Sequence, residues 1–241
     1  MKKQMLYKGL AKYYDLVYSI KDYKKESERI RKLIKKYNKS KGSRVLEFAC
    51  GTGIHAKYLS RYFPNYVGFD INEEVLRIAR KRASGVLFKK GDMVTAKIDG
   101  KFDVVLCLFS SIGYVKTYPR LKKTLKSFYE NLNPGGVLIF EPWFTKSDYH
   151  VGTPHSLLYN SKDIKIARLD VFKRKGNVSV FDMHFLVAER GKGTKHFVDR
   201  HELGLFEPEK TLRIMRDVGF DARHLKDEKN RGAYIGIKNV R

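Results

Sequence analysis

The chain has 241 residues, 42% hydrophobic and 32% charged, which is enough for one sizeable domain with a real core and ordinary for a soluble globular protein. No apolar run reaches the roughly 18 residues of a membrane span, and the start, "MKKQMLYKGLAKYYD", has no apolar core or small-residue cleavage site. Neither a membrane span nor a signal peptide is therefore expected. Net charge is +24, from 50 Lys and Arg against 26 Asp and Glu, which implies either an anionic partner or a lysine-rich surface from a thermophilic source.

The single glutamine, Gln4, fits the thermophilic reading, because heat-labile amides are depleted in such proteins. The two cysteines, Cys50 and Cys107, sit in apolar strand-like runs. That argues against a disulfide framework or zinc site and fits a reducing cytoplasm. No H-x-x-H or C-x-x-C pair occurs, so no metal is expected.

Apolar residues recur at Ile30, Leu33, Ile34 and Tyr37, predicting an amphipathic helix from Tyr23 to Tyr37. "SRVLEFA" predicts a buried strand, "HAKYLSRYF" a helix ended by Pro64, and "YVGFDI" a second strand. "NEEVLRIARKRA" predicts a helix with Asn72 as N-cap and acids in its first turn. "GVLFKKGD" and "KFDVVLCLFSS" predict strands three and four. "YPRLKKTLKSFYENL" predicts a helix stopped by "NPGG", and "VLIFEPW" a fifth strand. The alternation argues a parallel sheet with helices on both faces. After Trp143 the pattern becomes alternating, broken at "KRKGN" and "RGKG", which predicts two or three antiparallel strands over 163–205. A helix ending at Gly219 and two closing strands follow.

In an open α/β sheet, ligands sit beyond the carboxyl ends of the strands, where "EFACGTGIHA" is placed. Three nucleotide readings compete for this loop. A P-loop needs a Lys that is absent here. A dinucleotide loop is not excluded, since Ala56 is tolerated where a third glycine usually stands. An S-adenosylmethionine loop has the pattern acidic-x-x-x-G-x-G, matched by Glu47, Gly51 and Gly53, with Ala49 and Thr52 between. Asp70, 17 residues beyond Gly53, ends the second strand, where a carboxylate accepts ribose hydroxyls, with Ile71 beside it. Asp92 and Met93 in "GDM" end the third strand, suited to an adenine amino group and ring, and Leu108 ends the fourth. These features together favour S-adenosylmethionine, with S-adenosylhomocysteine as product.

Through "EFACGTG", "GFD", "GDM" and "NPGG" the sequence resembles class I S-adenosylmethionine-dependent methyltransferases. Through "YYDLVY", "FSSIGYVKT", "EPWF", "GKGTKHFVDRHELGLF" and "NRGAYIGI" it is similar to nucleotide-linked amino-sugar N,N-dimethyltransferases of the desosamine and mycaminose type. The stretch "EPWFTKSDYH" departs from that family, whose macrolide members carry an aromatic pair before a proline. The resemblance implies a Rossmann-like, seven-stranded class I methyltransferase sheet with an antiparallel β insertion after the fifth strand. It implies one methyltransferase domain: a helical cap over 1–40, a cofactor core over 41–143, an insertion on the substrate side over 144–206, and a C-terminal helix with closing strands over 207–241. The implied activity is methylation of a small-molecule amine, with orientation rather than a dedicated base as the main device.

Site expectations follow. Tyr14, which is also a candidate catalytic residue, and Tyr23 close over the cofactor or shape the methyl channel from the N-terminal helices, and His55 contacts the cofactor or caps its helix. His201 is a proton acceptor, two residues from Asp199 and on the same strand face. His196 is kept as a substrate-binding candidate, although it falls opposite both unless a bulge intervenes. Tyr114, Lys116, Glu141 and Trp143 face the substrate, Lys116 and Arg231 suiting an anionic or nucleotide-linked acceptor. The +24 charge motivates a second reading, an RNA (tRNA) or protein methyltransferase, although strand four reads "LFSSIGY" and not an N-P-P-Y-type motif. A non-enzyme reading is a cofactor-binding scaffold subunit, against which the intact loop, Asp70 and Asp92 speak. A homodimer is kept as a candidate assembly.

Overall fold

The computed structural model describes residues 11–96, 98–227 and 232–240. The chain opens with α1 (Ala11–Val17), a 3-10 turn (Tyr18–Ile20) and α2 (Tyr23–Tyr37). Asp22 caps α2 by accepting from the Lys25 amide at 2.9 Å, and Lys35 and Lys36 lie at its negative end. Ile30, Ile34 and Tyr37 are its buried stripe, as the periodicity predicts.

Five parallel strands follow: β1 (Val45–Phe48), β2 (Tyr66–Asp70), β3 (Leu87–Lys90), β4 (Phe102–Cys107) and β5 (Leu132–Phe140). They are joined through α3 (Ile54–Leu59), α4 (Glu73–Arg82) and α5 (Tyr118–Asn131). Every residue of β1 and β4 is buried, because helices cover both faces of the sheet. Val45, Val104 and Leu106 pack on one face with α2 to α4, while Leu46, Phe48 and Val105 pack on the other with α5. The sheet closes with α6 (Pro208–Val218), β11 (Phe220–Leu225) and β12 (Ala233–Lys238). Strand order is β11-β12-β5-β4-β1-β2-β3, with β12 antiparallel to both neighbours. The chain winds away from β1 on both sides, so the carboxyl ends of β1 and β4 open a crevice. This is the seven-stranded class I methyltransferase sheet.

Several boundaries differ from the sequence reading, the largest being at β4, α3 and β5. β4 ends at Cys107 rather than at Ser111, where a 3-10 turn (Ser111–Val115) already begins. α3 ends at Leu59, since the amides of Tyr62 and Phe63 both turn back to the Leu59 carbonyl ahead of Pro64. "NPGG" follows the last turn of α5 but is absorbed into β5, which already starts at Leu132.

The insertion holds five strands, not two or three. They are β6 (Pro154–Asn160), β7 (Ile164–Val171), β8 (Lys173–Lys175), β9 (Val178–Glu189) and β10 (Gly193–Gly204). Their order is β10-β9-β7-β6, with β8 paired to β9, all antiparallel. β6 is hard to read because its adjacent Leu157 and Leu158 blur the alternation and none of its side chains is fully buried. "KRK" pairs as β8, so the turn falls at the following Gly-Asn. The inner face, with Ile166, Phe181, Met183, Phe185 and Leu203, packs against Tyr13 and Val17 of α1 and against Trp143. The second sheet and α1 thus roof the crevice of the first.

Candidate active site

The loop between β1 and α3 is built from backbone geometry. Ala49, Gly51 and Gly53 all have positive φ, at 53°, 55° and 73°. A Cβ on Gly51 would meet nothing within 4 Å, so this glycine faces open space. A Cβ on Gly53 would lie 2.9 Å from Ala79 Cβ, so this glycine lets the loop sit against α4. Asp70 braces the loop from the end of β2. Its Oδ2 accepts from the Gly51 amide and its Oδ1 from the Asn72 amide, both at 2.9 Å. Burial raises its carboxyl above the ordinary range, against the pull of the Asn72, Gly51 and Ile71 amides.

α1 is clasped to the same loop. Arg82 donates to the Thr52 carbonyl and to Asp15 Oδ2, each at 2.6 Å, and Thr52 Oγ1 donates to Asp15 Oδ1 at 2.8 Å. Tyr14 packs on Tyr18 with ring centroids 4.5 Å apart, and Tyr18 meets Phe109 edge-on at 5.4 Å. Tyr23 meets the His55 ring edge-on at 5.4 Å, and burial pushes its hydroxyl up.

Beneath the loop Glu47 is 2% exposed. Burial pushes its carboxyl up to about 7, while the His55 ring and the Tyr66 hydroxyl, 2.9 Å away, act the other way. His55 lies between carboxylates, its Nδ1 4.0 Å from Glu47 and its Nε2 3.5 Å from Glu26. At the far end, Asp92 accepts from the Val94 amide at 2.9 Å, closing the "GDM" turn, with Arg120 4.0 Å away. Ile71 is 65% exposed there, an apolar surface for a flat ring.

The opposite wall comes from the second sheet and the segment after β4. Phe109, Ser110 and Lys116 have positive φ, so with Ala49 four of the five described non-glycine residues of that kind line one cleft. Such strain persists only where surrounding structure enforces it, which marks a built site. Glu141 fixes this segment by accepting from the Phe109 amide at 2.8 Å and pairing with Arg29 of α2. Trp143 donates to Ser179 at 3.0 Å and stacks on Phe181. Lys116 bonds Glu202 at 2.6 Å, and that bond lowers the Glu202 carboxyl. Tyr114 Oη is 2.7 Å from His201 Nδ1.

The cleft between the walls measures about 1630 Å³, above the roughly 300–1,000 Å³ of a one-ligand site. It has room for two molecules. Seven Lys and Arg and nine Asp and Glu side chains line it among the described residues, so the +24 of the chain is not concentrated there.

Most of the sequence-predicted site residues line this cleft: Tyr14, Tyr23, Glu47, Ala49, Gly51, Thr52, His55, Asp70, Ile71, Asp92, Met93, Leu108, Tyr114, Lys116, Trp143 and His201. Gly53 does not; it serves the packing of the loop on α4. His196 does not either. The pairing of β9 with β10 runs without a bulge from Gly193 to Gly204, so His196 stays on the outer face, 3.1 Å from His184. Arg231 lies outside the described residues. Sequence reasoning missed Arg29 and the Asp15–Arg82 clasp, whose partners stand 112 and 67 residues apart with no spacing signal. Among the described residues, no group of three or more His, Cys, Asp or Glu is arranged to hold a metal ion.

The residues fit S-adenosylmethionine. Glu47 is a buried carboxylate suited to an ammonium, Gly51 leaves backbone open to a ligand, and the Asp70 oxygens keep lone pairs for hydroxyls. The family described as "Methyltransferase domain" matches residues 22–225. The chain is 33% identical over 230 residues to the dTDP-3-amino-3,4,6-trideoxy-alpha-D-glucopyranose N,N-dimethyltransferase of Streptomyces venezuelae, covering 94% of this chain and 97% of that one. The crystal structure of Streptomyces venezuelae DesVI superposes with a TM-score of 0.89 at 33% identity, over 95% of this chain and 98% of that one. SAM-bound CalS10, an amino pentose methyltransferase from Micromonospora echinaspora, superposes with a TM-score of 0.82 at 25% identity, over 91% and 92%. With fold, cleft and matches in agreement, the chain belongs to the methyltransferase-domain family and is an S-adenosylmethionine-dependent methyltransferase.

Proposed function

We propose that the protein N-methylates a small-molecule amine, specifically the amino group of a nucleotide-linked sugar. One observation carries this reading: similarity to a dTDP-amino-sugar N,N-dimethyltransferase spans 94% of this chain, so it includes the second sheet that walls the acceptor side. The balanced charge of the cleft supports a small acceptor over a polyanion.

When bound, S-adenosylmethionine supplies a methyl group on a sulfonium with a thioether as leaving group. The chain's own contribution is to bind, align and desolvate. We assign the cofactor to Glu47, the 49–53 loop, Asp70, Asp92 and Met93, with Tyr14 and Tyr23 excluding water from above. Tyr114, Trp143 and His201 face the acceptor. Lys116 meets a phosphate only after releasing Glu202, and Arg231 is proposed for the diphosphate on its sequence position alone. The two unbridged cysteines support a cytoplasmic protein, and the single glutamine a thermophilic source.

We also propose a homodimer through the outer face of the second sheet, where Leu158, Leu169, Leu186 and Val198 are exposed together. Light scattering should give twice the chain mass, reduced to one by Leu186→Arg; a wild-type monomer at every concentration contradicts it.

Methyl transfer from labelled cofactor to a panel of dTDP-amino sugars, simple amines and tRNA tests the main reading. Label should enter the amino sugar. Label in tRNA alone would sink the proposal in favour of the RNA reading.

A further inference from the structure

The positive charge absent from the cleft collects on a helical face outside it. α2 carries seven Lys and Arg against two Glu. Lys25, Lys32 and Lys36 recur at intervals of seven and four residues, so they share one line along the helix. That line is about 16 Å long and is turned away from the buried Ile30, Ile34 and Tyr37. Lys24 and Lys35 flank it, and all five lysines are exposed. Beside them α3 packs against α2 and adds the exposed Lys57, with Arg61 and Tyr62 in the turn that follows. None of these residues lines the cleft.

These lysines are not matched by acids. Glu26 faces Lys21 and His55, and Glu28 is held by the Arg31 guanidinium at 2.8 and 2.6 Å. Among the described residues, Lys24, Lys25, Lys32, Lys35 and Lys36 make no ion pair. A heat-adapted surface gains from charges arranged in pairs, as at Arg190–Asp163 and Arg200–Asp182 on the second sheet. Like charges left unpaired repel and destabilise the folded chain. Lys24 and Lys25 also stand in the first turn of α2, where the helix dipole disfavours cations. Thermal adaptation accounts for many lysines but not for this arrangement, whereas a bound polyanion offsets both effects.

The neighbouring rings narrow the partner. The Arg31 guanidinium covers one face of Tyr62, 4.9 Å from the ring centroid, yet Tyr62 is 57% exposed. Lys57 and Arg61 lie 5.6 and 6.0 Å from the Tyr58 centroid. An exposed ring backed by a cation is a platform for a nucleic-acid base. The apolar stripe of α2 is packed in the core, so this helix has no apolar face to insert into a lipid surface.

We propose that the outer face of α2, with the Arg61–Tyr62 turn, docks single-stranded nucleic acid. The lysines meet phosphates and Tyr62 stacks on a base. Charge and stacking carry no sequence code, so the surface accepts strands of any sequence. The strand lies outside the cleft and is not the methyl acceptor. The docking surface is therefore a second binding function, independent of what the cleft methylates.

Fluorescence anisotropy of the full chain with a labelled oligouridine of about 20 nucleotides tests this. Five lysines on the phosphates of a single strand give a log–log salt slope of about −3.5, so affinity should fall about 100-fold between roughly 50 and 200 mM salt. Lys25→Gln, Lys32→Gln and Lys36→Gln together should cut the slope to about −1.4. Tyr62→Ala should weaken binding about tenfold at every salt concentration and leave the slope unchanged. Lys122→Gln, Lys123→Gln and Lys126→Gln on α5, which packs on the other face of the sheet, remove as much charge and should leave the slope as in the wild type. Wild-type affinity for S-adenosylhomocysteine shows that each variant is folded. The α2 variant should melt no lower than the wild type, since repulsion is relieved. No binding at the lowest salt, an unchanged slope in the α2 variant, or an equal loss in the α5 variant overturns the proposal. Binding to phosphatidylserine vesicles with none to the oligonucleotide also overturns it, in favour of a membrane surface.

Discussion

The two walls of the cleft are made by different means. The parallel-sheet wall positions main chain: positive φ at Ala49 and Gly51, and an Asp70 carboxylate spent on backbone amides. The second-sheet wall positions side chains in pairs: Tyr114 with His201, Lys116 with Glu202, Trp143 with Ser179. A ligand held by backbone demands glycines and an acid at fixed short spacing. A ligand met by paired side chains demands only that distant strands meet the segments after β4 and β5. The first wall suits a common cofactor and the second a particular acceptor.

The sharpest way to break this comparison is a substitution on each wall. Gly51→Val places a side chain in the open cleft at a φ of 55°. It should weaken S-adenosylhomocysteine binding by roughly 100-fold or more, equal to about 3 kcal/mol, while the apo protein loses only about 1–2 kcal/mol from strain. Calorimetry and thermal melts check both. Gly53→Val should do the reverse and cost mainly stability, since its Cβ meets Ala79 at 2.9 Å. On the other wall, Trp143→Ala should leave cofactor affinity intact and raise the acceptor KM about tenfold or more, the range of a buried aromatic contact, as steady-state kinetics would read.

The same contrast explains what was legible in the sequence. The seven-stranded sheet and its loop were readable because buried strands and Gly-x-Gly are local patterns. α2 was readable to the residue from Ile30, Ile34 and Tyr37. The second sheet was undercounted because β6 has no fully buried side chain and β8 is three charged residues. His201 could be placed with Asp199 from strand alternation, yet nothing local joins it to Tyr114, 87 positions away. The substrate role expected of His196 needs a bulge to turn it inward; the unbroken β9–β10 register leaves it on the outer face beside His184.

Smaller effects sharpen the boundary between the walls. Asp15→Ala opens the partly exposed clasp of α1 on the loop. It should raise the cofactor KM roughly fivefold, about 1 kcal/mol for a charge-assisted contact of this exposure, with kcat unchanged. Glu47 gives a pH effect. Its carboxyl is raised to about 7 in the folded chain, so the native state holds a proton that the unfolded chain releases. Apo stability should therefore fall as pH rises from the ordinary carboxyl range to about 7, by up to roughly 3 kcal/mol. Glu47→Gln should abolish that slope in melting temperature against pH. In the wild type near pH 6, cofactor binding should release protons, read as a buffer-dependent enthalpy.

The most direct measurement pairs both walls in one reaction. The purified protein is incubated with labelled S-adenosylmethionine and a dTDP-amino sugar, with tRNA as the competing acceptor, and the products are identified by mass. Methyl on the sugar nitrogen, with unlabelled tRNA, is the predicted result. Methyl on tRNA with an untouched sugar would contradict the account: the second wall would then not be the amino-sugar site proposed for it.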